Sequence, residues 1–173
     1  MDSNTIMMGN HALECQIRQV SIRRIKSQDD AAIASLAEKY QALDLDAIGT
    51  DDSVSAIYSK ERSAYFVMER GTCIVGGAGI APLANDLDHI AELQCMVILP
   101  MSRRIGEGLR LLSHCLDAAD LMGYRTCYAE AYSGDADLNE ILRRAGFRVF
   151  SSPLLRAATP GCDAVHYLKL GLR

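Results

Sequence analysis

The chain has no Cys-x-x-Cys pair and no His-Glu-x-x-His, and its four histidines, His11, His89, His114 and His166, are scattered. Those absences argue against a metal site and exclude the common zinc frameworks. There is no excess of basic residues either. Lys and Arg number 18 against 22 Asp and Glu, for a net charge of −4. Such a balance argues against general affinity for nucleic acid. No apolar run reaches the length of a membrane span, and the N-terminus lacks the apolar core of a signal peptide. The expectation is a cytoplasmic protein with no membrane or nucleic-acid partner. A calcium loop is hinted at by Asp44-x-Asp46 and Gly49. It fails because Ile48 precedes the glycine and Ser55 stands at the twelfth position, where Glu is needed.

What is present points to one globular unit. Of 173 residues, 49% are hydrophobic, enough for a sizeable core. Residues 1–15 are aperiodic and read as a flexible tail, and 16–173 read as a single domain without repeat or linker. The six cysteines, Cys15, Cys73, Cys95, Cys115, Cys127 and Cys162, lie mostly in apolar runs. They read as buried, reduced thiols.

Periodicity predicts the elements in order. Residues 16–25 alternate as a strand. Ser27 then looks like a helix cap, with Asp29 and Asp30 in the first turn and Ile33, Leu36, Ala37, Tyr40 and Leu43 at helical spacing. An acidic connection, 44–55, reads as a solvated loop. Strands follow at 64–69 and 73–83. The second holds Val75-Gly76-Gly77-Ala78-Gly79, which lacks the spacing of a dinucleotide loop and reads as a strand that something approaches closely. Strand 89–99 places Glu92, Gln94, Met96 and Ile98 on one face and Leu93, Cys95, Val97 and Leu99 on the other. A helix of ~19 residues, about 28 Å long, runs from about Arg104 to a stop at Gly123. Then come strand 124–132, helix 136–145 stopped by Gly146, strand 147–151 and strand 164–172. The edges of these last two strands could pair in a homodimer.

The junction Ile98-Leu99-Pro100-Met101-Ser102-Arg103-Arg104-Ile105-Gly106-Glu107-Gly108 organises the rest. A strand feeds a glycine-bearing turn at a helix start. The first N–H groups of a helix have no partner within it, the dipole adds positive charge, and glycine lets an anion approach the backbone. No Gly-Lys-Ser/Thr follows, so this is not a nucleotide P-loop.

Arg103-x-x-Gly106-x-Gly108 after Ile98-x-Pro100 resembles the acyl-CoA pyrophosphate loop of the GNAT N-acetyltransferase superfamily. The flanks agree: Ala91-Glu92-Leu93 before it, then Met122-Gly123-Tyr124, Tyr128-Ala129-Glu130 and Arg144-Ala145-Gly146-Phe147-Arg148. The resemblance implies an α/β fold of α+β type, with a mixed, strongly twisted sheet of about six to seven strands and helices on both faces. It implies acetyl-CoA as cofactor, with its pantetheine between splayed strands 90–99 and 124–132. Met96, Val97, Ile98, Arg103, Arg104, Ile105, Gly106, Glu107, Gly108 and Leu109 would hold the cofactor. The activity implied is direct transfer of acetyl to the amine of a small molecule or peptide, with Glu92 as candidate base. The pattern departs from the family at the general acid. Leu142 stands where a Tyr is frequent and Asp135 where an Asn is, so either another group, with Tyr132 and Ser133 as candidates, or solvent protonates the thiolate. Glu130 reads as structural, accepting backbone or Arg hydrogen bonds, and Cys95 as core on the face opposite Glu92. Alternatives are a catalytically degenerate acyl-CoA-binding sensor or structural protein, and an unrelated nucleotide-binding module. Asp44, Asp46, Asp51 and Asp52 would favour a cationic acceptor.

Overall fold

A computed structural model describes residues 19–39, 53–83, 89–100, 105–151 and 164–172. The tail 1–15, most of the acidic connection, Arg103 and Arg104 lie outside the described residues.

Seven strands form one sheet: β1 (Val20–Arg24), β2 (Ala64–Arg70), β3 (Cys73–Pro82), β4 (Ile90–Ile98), β5 (Thr126–Tyr132), β6 (Arg148–Val149) and β7 (Ala164–Leu170). Their spatial order is β1-β2-β3-β4-β5-β7-β6. Every neighbouring pair is antiparallel except β4–β5. The helices are α1 (Asp30–Lys39), α2 (Val54–Ile57), α3 (Ile105–Leu121) and α4 (Ala136–Arg144). The short α2 is a helical turn within a stretch read from sequence as loop. Ser53 caps it by accepting from Ala56 N–H.

Two apolar clusters flank the sheet. On one face α3 and α4 bury Leu111, Leu112, Cys115, Ile141 and Leu142 against Ala78, Ile80, Leu93 and Ala129. On the other, Ile33 of α1, Val54 of α2 and Tyr58 just after it pack with Tyr65, Val67 and Cys95. These apolar faces account for the helical spacing seen in the sequence.

Helices α3 and α4 end alike. Gly123 and Gly146 each take φ +88. Gly123 N–H bonds Asp120 C=O while Tyr124 N–H bonds Ala119 C=O; Gly146 bonds Arg143 while Phe147 bonds Leu142. This pair of bonds caps the last carbonyls, and the next residue folds back as an apolar plug. Tyr124 and Phe147 are both buried. The Gly-aromatic pairs of the sequence are therefore helix closures.

Ser27 does not cap α1. It opens a 3-10 turn, Ser27–Asp29, and Asp29 is the capping group, accepting from Lys26 N–H at 2.8 Å. Asp29 also accepts from Arg23, which pairs with Glu69 on β2 as well. The Arg23 hydrogen bond holds the Asp29 carboxyl below its ordinary range against the opposing effect of burial. A depressed folded-state pKa stabilises the fold above the unfolded value near 3.9 and ceases to do so as pH falls through the folded value. The D29N variant is expected to be less stable at pH 7, with the gap to wild type closing below about pH 4. Urea titrations at both pH values measure it, and a gap that persists at low pH would refute the linkage.

Two expectations are corrected here. β7 is an interior strand between β5 and β6, so the two closing strands pair with each other and, among the described residues, the edge at this end of the sheet is the two-residue β6. Cys73 is disulfide-bonded, while Cys95, Cys115 and Cys127 are buried and not in disulfides. The chain is therefore not uniformly reduced. Burial pushes the Cys127 thiol up to about 12 and Cys115 higher still, which keeps both unreactive. Among the described residues, no helix is long and apolar enough to cross a membrane.

Candidate active site

A wedge opens between β4 and β5. Their ladder has four rungs, Ile90↔Thr126 to Leu93↔Ala129, and then stops, although β4 runs on to Ile98 and β5 to Tyr132. The strands part where β4 bulges. Gly77 faces Val97 and Gly79 faces Gln94, so Ala78 alone faces both Cys95 and Met96. Cys95 takes φ +49, a left-handed conformation that costs a non-glycine residue about 1 kcal/mol or more. Its carbonyl accepts from Tyr65 Oη at 3.0 Å.

The bulge overturns strict alternation. Leu93 and Ile98 pack towards α3, whereas Cys95 joins Tyr58 and Tyr65 on the opposite face. That is also the face of Gln94, which Tyr58 reaches, and of Glu92, which Gln94 reaches. Cys95 is therefore core, as expected, but on the same face as Glu92.

At the mouth of the wedge α3 begins at Ile105. Its first N–H groups have no partner within the helix. A Cβ on Gly106 would meet nothing within 4 Å, so the approach to this backbone is open. Gly108 also has a packing duty that its motif does not suggest. A Cβ there would lie 2.4 Å from Ile141 Cδ1 and 3.3 Å from Ile98 Cδ1. It lets α4 pack against α3, so a bulky residue at 108 would confound fold and binding. Glu107 turns its carboxylate to the buried Arg70 at the end of β2, leaving Oε2 buried and without a hydrogen bond among the described residues. Arg70 thus offsets the one negative charge in this first turn. Ile98 is buried, Met96 and Leu109 half-buried. An anionic, chain-like group with its charge at Gly106 and its stem along β4 fits this arrangement.

The opposite end of the wedge is polar. Tyr58 lies flat on Gly79, whose added Cβ would fall 2.5–2.6 Å from three atoms of the ring. From there Tyr58 Oη donates to Gln94 Oε1 at 2.9 Å, and Gln94 Nε2 donates to Glu92 Oε2 at 2.7 Å. Burial, chiefly, pushes the Tyr58 phenol far above its ordinary value, so it remains a donor. Gly77 likewise accommodates the Tyr65 ring. Gly77 and Gly79 of β3 thus admit tyrosines.

Tyr132 is not brought to Glu92. The register partner of Glu92 is Tyr128, and Tyr132 lies four residues further along β5, ~13 Å away along the strand. Tyr132 is half-exposed, and its ring lies where a Gly134 side chain would go. Leu142 is fully buried, and Asp135 caps α4 by accepting from Leu138 N–H at 3.0 Å. Among the described residues Glu130 takes no Arg; its partners there are Tyr128 and His166. Sequence reasoning missed Tyr58, and it placed Gln94, Tyr128 and His166 in the chain without giving them a role. Gly79 was the available signal for Tyr58, and nothing short of the strand order points to His166.

The profile of the Acetyltransferase (GNAT) family matches residues 28–147. The N-acetyltransferase YjgM of Escherichia coli strain K12 is 36% identical over 117 residues, covering 63% of this chain and 70% of that protein. Among solved structures, yncA from Salmonella typhimurium with its cofactor acetyl-CoA aligns with TM-score 0.68 and 22% identity, covering 89% of this chain and 94% of the other. Spermidine N-acetyltransferase from Vibrio cholerae, in complex with CoA and spermine, aligns with TM-score 0.65 and 16% identity over 88% of this chain and 96% of the other.

Proposed function

The chain belongs to the GNAT acetyltransferase family, and on that premise we propose that it transfers acetyl from acetyl-CoA directly to the amine of a small molecule or peptide, with Glu92 as general base, within one domain spanning 16–173. The observation that carries this reading is the wedge between β4 and β5. Its mouth faces the open α3 N-terminus, and Glu92 lies at its closed end.

The roles follow. The N–H groups of Gly106, Glu107 and Gly108 take the pyrophosphate, with Arg103 and Arg104 adding charge, and Met96, Val97 and Ile98 line the stem. Bound acetyl-CoA supplies a thioester carbon for the amine nitrogen to attack, with a thiolate as leaving group. The acceptor amine, with a pKa near ~10, enters protonated and must lose a proton before it attacks. Glu92 takes that proton, oriented by Gln94 and Tyr58. Glu92 and Glu130 share one face, and this supports a cationic acceptor. The spermine bound by the Vibrio cholerae relative is an example of the class. Tyr132, Ser133 or solvent returns a proton to the thiolate.

Isothermal calorimetry with acetyl-CoA, and ATP as control, tests the cofactor site. Wild type is expected to bind acetyl-CoA selectively. Gly106→Val is expected to bind it about tenfold more weakly, ~1.4 kcal/mol, at nearly unchanged melting temperature. Equal affinities for acetyl-CoA and ATP would count against the site. The buried Leu142 favours a second reading, a degenerate acyl-CoA-binding protein. That reading predicts binding without release of free thiol when amines are added.

A further inference from the structure

Across the wedge from Glu92, three side chains meet that the roles above do not use. Tyr128 and Glu130 stand two residues apart on β5, and His166 is the register partner of Glu130 on β7. Tyr128 Oη lies 2.6 Å from His166 Nδ1 and 3.3 Å from Glu130 Oε2, and His166 Nδ1 is 3.9 Å from that same oxygen. The Tyr128 and His166 rings stack at 6.0 Å with 20° between their planes. Tyr128 is buried, while the His166 and Glu130 side chains keep 23% and 29% of their exposure. A phenol is thus joined to an imidazole that can exchange protons with water. Tyr128 is also the direct neighbour of Glu92 across the ladder, on the same face.

We propose that Tyr128, set up by His166 and Glu130, is a second proton-accepting group of the acetyl transfer, beside Glu92. The proposal rests on the N-acetyltransferase reading above and deepens it.

The proton count calls for such a group. An amine that arrives as an ammonium ion sheds two protons, one before its lone pair can attack and one as the amide forms. Glu92 accepts the first. The second passes to the phenolic oxygen of Tyr128 as that hydroxyl's own proton passes to His166 Nδ1. The N–C bond forms, the C–S bond breaks, and the departing thiolate keeps the electron pair and takes one proton from solvent. Glu92 and His166 each return one proton to solvent, so the net release is one. Imidazolium formed at His166 lies beside Glu130, whose Oε2 is 3.9 Å from Nδ1. Among the described residues, the other groups around His166 are Phe150, whose N–H bonds the His166 carbonyl, and on the same sheet face Arg148, opposite Leu168, and Glu92. The relay requires Tyr128 Oη to donate to Nδ1, so that neutral His166 carries its hydrogen on Nε2; the 2.6 Å contact is compatible with that tautomer, in which the phenol hydrogen turns from Glu130 to His166. Tyr128 is the group presented to the amine; His166 and Glu130 are positioning residues.

The test uses full-length protein labelled with 15N-histidine and saturated with acetyl-CoA, with H166Q identifying the resonance. Neutral His166 is expected as the Nε2–H form, and Tyr128→Phe is expected to remove that preference. In a free-thiol assay with diamines, amino acids and short peptides, Tyr128→Phe is expected to lower kcat about a hundredfold at unchanged KM for acetyl-CoA. H166Q, which cannot hold an imidazolium charge, is expected to remove one ionisation from the acidic limb of the kcat/KM profile. A purely structural histidine would leave that limb in place. An Nδ1–H form in wild type, or superimposable pH profiles, would overturn the proposal. Failure of wild type to bind acetyl-CoA would instead overturn the reading on which it rests.

Discussion

Glu92→Gln is expected to lower kcat by about a hundredfold to ten-thousandfold, the range for removing a positioned base. Acetyl-CoA affinity should stay within about twofold, because the pyrophosphate site sits beyond Ile98, some ~20 Å along β4 at the strand rise. The fold should also survive. The amide oxygen of Gln at position 92 can still accept from Gln94 Nε2, which now bonds Glu92. If the carboxylate is the base, the loss is greatest at low pH and narrows as more of the acceptor amine is neutral. Steady-state kinetics across pH, with acetyl-CoA calorimetry on the same preparation, would decide. Turnover within threefold of wild type at every pH would leave Glu92 a structural residue.

A comparable effect on stability is expected at a residue that touches no ligand. Gly79→Val would place its Cβ within 2.5–2.6 Å of three ring atoms of Tyr58, which is only 2% exposed and has nowhere to move. Overpacking of a buried site costs about 3 kcal/mol, or roughly 6–12 °C in melting temperature for a domain of this size. Displacing the ring also breaks the Tyr58–Gln94 bond and loosens Glu92. Gly79→Val should therefore lose turnover beyond its loss of folded population. Tyr58→Phe separates the effects, since it keeps the ring on Gly79 and removes only the hydroxyl. Thermal melts of the two variants, with turnover scaled to the folded fraction, measure this. A Gly79→Val protein that melts with wild type would show that the ring can slide.

The order of elements was legible because each carries its own period. The helical spacing of Leu109, Leu112, Leu116 and Ala119 and the Gly123 and Gly146 stops need no tertiary information. The anion loop was legible as a motif, but the packing duty of one of its glycines was not. Gly108 makes room for Ile141, which lies 33 residues away in the chain and meets it only when α4 docks. Alternation misplaced Cys95 because a bulge adds a residue without changing composition. Tyr128 and Glu130 were in view, but their partner was not. His166 becomes their neighbour only because β7 inserts between β5 and β6, and that insertion is a property of the topology.

The four-rung ladder has a mechanical consequence. It divides the sheet into two plates, β1 to β4 and β5 to β7, with backbone hydrogen bonding between them confined to one end. From the last rung β4 extends five more residues to Ile98, a lever of ~16 Å at the strand rise. A rotation of about 10° at the rungs then changes the gap at Ile98 by about 3 Å. An occupant lodged between the plates would act as a strut, and stiffness across the seam would rise when it binds and fall when it leaves.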